Sequence, residues 1–188
     1  MIALLIACAT TEESFPIVDT TEPMFLTPAR EVRRLSIDLR GRLPTSEEYA
    51  RAENGEMPNL TAEFLADDHF EETIMLHLSE VWHTRVDEFD IVTDDFNLDP
   101  AEWWYPFNRA IGEEPLRLMA YIISQDLPWT DIVTAEYTLA NEVLRDIFPL
   151  HYPEGESGWQ PSVYTDGRPP VGVLATNGLW WRYPTDSF

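Results

Sequence analysis

Lysine is missing altogether: the chain has 188 residues, and all twelve of its basic side chains are arginine. Without lysine there is no Schiff-base nucleophile and no phosphate-loop lysine. Cysteine is almost absent too. Cys8 is the single one, so the chain cannot form an internal disulfide, attach haem through Cys-x-x-Cys-His or ligate a cluster through several thiolates. No apolar run approaches the roughly 18 residues that a membrane-crossing helix needs. Positive charge is scarce, with 34 acidic residues giving a net charge of −22. That field repels phosphate backbones and anionic headgroups. It excludes nucleic acid as a partner and leaves a lipid, not a basic face, as the route to a membrane.

The lone cysteine sits in a telling place. Leu5-Ile6-Ala7-Cys8 has a branched aliphatic three positions before the thiol and a small residue directly before it, the form of a bacterial lipoprotein cleavage site. Cleavage before Cys8 and acylation of the thiol would anchor the chain without spanning the bilayer. Only Met1 to Ala7 precede the cysteine and none is basic, so a full secretory signal needs an upstream start. The competing reading is a small buried thiol. Residues 9–27 favour the anchor: they carry a charge of −4, no basic residue and many Thr and Pro, the composition of an extended tether.

Beyond the tether the chain reads as helices with clear punctuation. Thr27-Pro28 offers an N-cap with proline at the first helical position, Val32, Leu35 and Leu39 recur at helical spacing, and Gly41 is a stop. Thr45-Ser46-Glu47-Glu48 is a capping box for a short helix to about Ala52. A brief helix follows near residues 60–66, then the longest over about residues 68–87, with Ile74, Leu78, Val81 and Trp82 on its apolar stripe. The acidic stretch 87–99 reads as a loop, and Asp99-Pro100-Ala101-Glu102 restarts a helix. Further helices are expected at 113–124 and 141–147, with a short one near 130–135. Residues 149–188 hold six prolines, five glycines and seven aromatics without periodicity, which predicts an irregular segment packed on the helices. Strands are expected near 171–174 and 179–183. The organisation expected is a lipoprotein signal at 1–8, a tether at 9–27, a helical domain at 28–148 and the irregular segment at 149–188. The fold class is mainly α, a multi-helix orthogonal bundle with room for a short strand pair.

Chemistry-bearing residues are few. Glu80 and His83 stand in Glu-x-x-His spacing, which puts both on one helix face, as in carboxylate-bridged metal centres; those centres need a second copy, absent here. His77 adds a third candidate ligand but spreads the set around the helix. Asp95, Asn97 and Asp99 match the opening of a calcium loop, with oxygens at alternate positions. Pro100 and Pro106 then stand where that loop needs glycine and a bidentate glutamate, so a looser Ca2+ site competes with a solvated acidic loop. Trp103-Trp104 and Trp180-Trp181 could stack carbohydrate. Adjacent side chains on a helix or strand diverge, which predicts that one tryptophan of each pair is core. His69, His77, His83 and His151 complete no recognisable triad, and no catalytic residue stands out.

The run Val32-Arg33-Arg34-Leu35-Ser36-Ile37-Asp38-Leu39-Arg40-Gly41-Arg42-Leu43-Pro44-Thr45 resembles helical domains of unknown function in large envelope proteins of planctomycetes and myxobacteria, many fused to c-type cytochrome modules. Phe64 to Phe70, Asp126 to Thr138 with Asn141, and Gly172-Val173-Leu174 with Arg182-Tyr183-Pro184-Thr185 resemble further signatures of that group. The resemblance implies a helical envelope protein with redox associations, and that family members continue beyond the third signature, so the chain would be the front part of a longer protein. It carries over no catalytic residue, and any haem would belong to another module or protein. The function expected is therefore a lipid-anchored scaffold or interaction subunit of the cell envelope, facing periplasm or exterior, with the membrane reached through Cys8 and a protein partner beside it. The alternatives are an accessory to a haem protein in electron transfer and a calcium- or carbohydrate-binding surface module.

Overall fold

The computed structural model describes residues 25–85 and 90–183. Cys8, the tether to residue 24, and Asp87 and Glu88 of the acidic loop lie outside the described residues. The chain is mainly helical with a small antiparallel sheet, as the sequence predicts.

Helix α1 (Pro28–Arg40) opens on its proline and ends at Gly41, whose left-handed φ of 66° lets its N–H reach the Ile37 carbonyl. Helix α2 (Ser46–Glu53) begins with the predicted capping box. The Thr45 hydroxyl accepts from the Glu48 N–H at 3.2 Å, and the Glu48 carboxylate accepts from the Thr45 N–H at 2.7 Å. With α3 (Met57–Leu65), these helices close over Val32, Ala52, Leu60 and Phe64. Arg40 seals that cluster. Its guanidinium lies 3.6 Å from the Phe64 ring centroid and donates to Glu48 at 2.8 Å and to the Ser36 hydroxyl at 2.7 Å.

Helix α4 (Phe70–Trp82) is shorter than the spacing suggests, because His83 takes a left-handed conformation at φ 49° and ends it. Helix α5 (Pro100–Ser124) is capped by the Asp99 carboxylate, which accepts from the Ala101 N–H at 2.9 Å. Where two helices were expected there is one of 25 residues, continuous through Pro106 and Pro115. An interior proline costs about 3 kcal/mol. Burial of Phe107, Ile111, Leu116, Leu118, Met119 and Ile122 along the same helix outweighs this, at about 1.5–3 kcal/mol each. The core therefore lies around α5. One cluster joins it to Met75 of α4, Leu139 and Val173; the other joins it to Ile91, Leu144 and Tyr152.

Helix α6 (Asp131–Thr134), strand β1 (Thr138–Ala140), helix α7 (Glu142–Ile147) and strands β2 (Leu150–His151) and β3 (Gln160–Tyr164) follow. The sheet order is β1-β3-β2, antiparallel throughout, with Leu139 opposite Pro161 and His151 opposite Val163. The strands expected at 171–174 and 179–183 are instead a 3-10 turn over Gly172–Ala175 and helix α8 (Asn177–Arg182). Gly172 explains the first departure. At φ 58° it lies so close to the Ile132 carbonyl that a Cβ would collide with it, and this bends the chain out of any extended run.

Candidate functional site

Glu113 and Glu114 are adjacent near the middle of α5, and both are buried. Helical geometry sends them to different sides. Glu113 is held by Arg109, whose Nε donates at 2.7 Å, and by Arg117, whose Nη2 donates at 3.2 Å.

Glu114 is fully buried and meets hydrogen-bond donors on both oxygens. Oε1 accepts from the hydroxyls of Thr138 at 2.8 Å and Tyr164 at 2.7 Å. Oε2 accepts from the backbone N–H of Asn177 at 2.8 Å and from its side-chain amide at 3.3 Å. The Asn177 amide also donates to the Tyr164 hydroxyl, and its Oδ1 accepts from Arg168 at 3.1 Å. Arg168 stacks 3.6 Å from the Tyr164 ring centroid and is bound by Asp166. Burial pushes the Glu114 carboxyl up to about 7, although the donors and Arg168 pull the other way. Burial and the neighbouring Glu114 charge raise the Tyr164 phenol. The network ties α5 to β1, β3 and α8. Its carboxyl is fully buried, so in this structure the network acts as a lock between those elements.

A shallow apolar groove of about 370 Å³ lies where α4 meets α8, lined by Trp82, Leu174, Leu179, Trp180 and Tyr183. Its walls are fixed by polar contacts to backbone: the Trp180 indole donates to the Leu174 carbonyl, the Tyr183 hydroxyl to the Trp82 carbonyl at 2.9 Å, and Arg182 to the His83 carbonyl at 2.8 Å.

Of the tryptophan pairs, Trp103 is half-buried and Trp104 exposed, its indole donating to Asp90 at 2.6 Å. Trp180 and Trp181 are both exposed, at 63% and 43%, which corrects the expectation that one of them is core. They stand on a short surface helix instead of a strand, and the Trp181 ring lies 6.3 Å from that of Phe96, centroid to centroid. Glu80 is exposed on α4, whereas His83 has left the helix for the left-handed cap, so the two do not share a helical face as the spacing implied. Asp95 lies in a 3-10 turn (Thr93–Phe96), Asn97 takes the left-handed position after it, and Asp99 spends an oxygen on the α5 cap. Among the described residues no three His, Cys, Asp or Glu side chains come together as a metal-binding group.

Glu114 was missed in the sequence because its partners lie 24, 50 and 63 residues away. No local pattern marks it; two consecutive glutamates amid apolar residues, followed by proline, were the only available sign. No family model, curated protein or solved structure matches the chain.

Proposed function

We infer that this protein is a lipid-anchored interaction subunit of the cell envelope, carried to the membrane by acylated Cys8 and contacting a protein partner through the groove between α4 and α8. The observation that supports this reading best is the cluster of exposed aromatic surface there. Trp180, Tyr183 and Leu174 are each more than 40% exposed, and large aromatics are the side chains on which protein interfaces most depend. The Cys8 motif supplies the anchor, and no described helix is long and apolar enough to cross a membrane.

The test is fractionation with intact mass. The native protein is expected in the membrane pellet, lacking residues 1–7 and carrying acyl chains, while Cys8→Ala shifts it to the soluble fraction. A photo-crosslinking residue at Trp180 should then yield one discrete adduct in intact cells. Wild-type protein of unmodified mass in the soluble fraction would remove the anchor; no adduct from Trp180 would remove the groove.

A further inference from the structure

A second concavity, of about 280 Å³, lies along the Glu113 side of α5. It is bounded by Tyr105, Arg109, Glu113 and Arg117 of α5, by Asn141 before α7 and by Trp159 before β3. We propose that this cavity is a binding site for a neutral sugar ring, with Trp159 as the apolar wall and Arg109, Glu113 and Asn141 as the hydrogen-bonding groups. The inference does not depend on the lipid anchor or on the α4–α8 groove.

The polar inventory points to a ligand. Asn141 uses Oδ1 to cap α7, accepting from the Leu144 N–H at 3.1 Å, and its Nδ2 has no partner among the described residues. The indole N–H of Trp159 is likewise without a protein acceptor among those residues, and the buried Nε of Arg117 has no partner there; Arg109 donates its Nε to Glu113 at 2.7 Å and also meets Tyr105. Each Glu113 oxygen takes one arginine and keeps lone pairs to offer. The cavity therefore sets unspent donors beside a carboxylate held rigidly in place. Vicinal hydroxyls, which both donate and accept, answer such a set.

Charge decides against an anion. Arg109 and Arg117 face Glu113, and Arg117 also meets Glu71 at 2.6 Å and Glu72 at 3.7 Å. With Arg85 also on Glu72, three cations face three carboxylates and leave no surplus positive charge, in a chain of net charge −22. The aromatic groups suit the C–H face of a pyranose. Trp159 is half-buried, packed on both core clusters and backed by the Arg117 guanidinium 5.4 Å from its ring, so it is ordered before any ligand arrives. Tyr105 is 53% exposed beside it. At the lower bound of roughly 300 Å³ for small-molecule sites, the cavity admits one ring more readily than a long chain.

Saturation-transfer NMR on the whole chain tests this, with glucose, galactose, mannose and N-acetylglucosamine as neutral probes and galacturonate and inorganic phosphate as anions. At least one neutral sugar should bind, and Tyr105→Ala and Arg109→Ala should each weaken it about tenfold, the scale of one lost hydrogen bond to a charged group. Tyr105 is exposed and Glu113 keeps Arg117 when Arg109 is removed, and circular dichroism with thermal unfolding of each variant keeps a binding loss distinct from unfolding. The proposal is overturned if no neutral sugar binds, if the anions bind and the sugars do not, or if neither variant alters binding. Trp180→Ala must leave sugar binding intact; a loss there would move the site to the α4–α8 groove and refute this placement.

Discussion

Replacing Glu114 by glutamine should change how stability depends on pH, and the size of the change follows from the buried network. The folded-state carboxyl titrates near 7, against an ordinary value of 4.5. Between those values the folded chain holds a proton that the unfolded chain has released. The contribution to stability is thus complete below pH 4.5 and is lost as pH rises through about 7. A displacement of that size corresponds to about 3 kcal/mol, a large share of a typical stability of about 5–15 kcal/mol. The groups that face Glu114 do not blur the window. Thr138 and Asn177 do not titrate, the Tyr164 phenol is raised above its ordinary value, and the Arg168 guanidinium is raised as well. Asp67, Glu48 and Asp166 have lowered values, so their contributions fade only as pH falls below the usual carboxylate range. Glutamine itself turns an NH2 toward donors, a cost of about 1–3 kcal/mol that is the same at every pH. Urea unfolding of both proteins from pH 5 to pH 8 reads the effect. Wild type should lose about 2.5 kcal/mol relative to Glu114→Gln across that range, a midpoint shift of about 1.2 M at a slope of about 2 kcal/mol/M. A difference between the two proteins that stays flat with pH would refute the reasoning, because Glu114 would then ionise alike in both states.

Two further substitutions probe the packing. Gly178→Ala sets a Cβ against the Ile111 carbonyl and the Pro115 ring, so α8 must lift from α5, with an expected loss of about 2–3 kcal/mol by thermal unfolding; a neutral result would mean the contact is loose. Arg40→Ala leaves Glu48 and Asp67 without their buried cation and should cost about 3–5 kcal/mol, whereas Arg34→Ala removes an exposed pair with Asp38 and should cost less than about 1 kcal/mol. Equal effects of the two arginine substitutions would contradict the burial argument.

How legible these features are in the sequence follows the range of the forces that set them. Gly41 and the Thr45–Glu48 box act within one turn, and the structure bears both out. The Asp99–Pro100 start of α5 is equally local and equally legible. The expectation of two helices where α5 runs unbroken fails because the local cost of Pro106 and Pro115 is outweighed by burial against elements that arrive later in the chain. Residues 171–183 mislead for a related reason. Their valines and aromatics favour strands, but Gly172 and Gly178 are pressed against the backbone of α6 and α5, and close packing decides the conformation. The candidate sites were harder still. Glu113 and Glu114 are indistinguishable by composition, and their partners separate them only once β1, β3 and α8 are in place. Trp159 carries no signal apart from its neighbours, because the cavity it lines is assembled from three separate segments.

Pro115 has one effect that concerns how the centre of the molecule is closed. It deprives the Ile111 carbonyl of its helical donor, and Gly178 closes over that carbonyl from the other end of the domain. One residue away, Asn177 supplies both nitrogens that satisfy one oxygen of Glu114. The weakest turn of the central helix and its buried charge thus share a single closing element, six residues long. Without α8 in place, the Ile111 carbonyl would lack the cover of Gly178 and Glu114 Oε2 the donors of Asn177, so the centre of the molecule is closed by its last described helix.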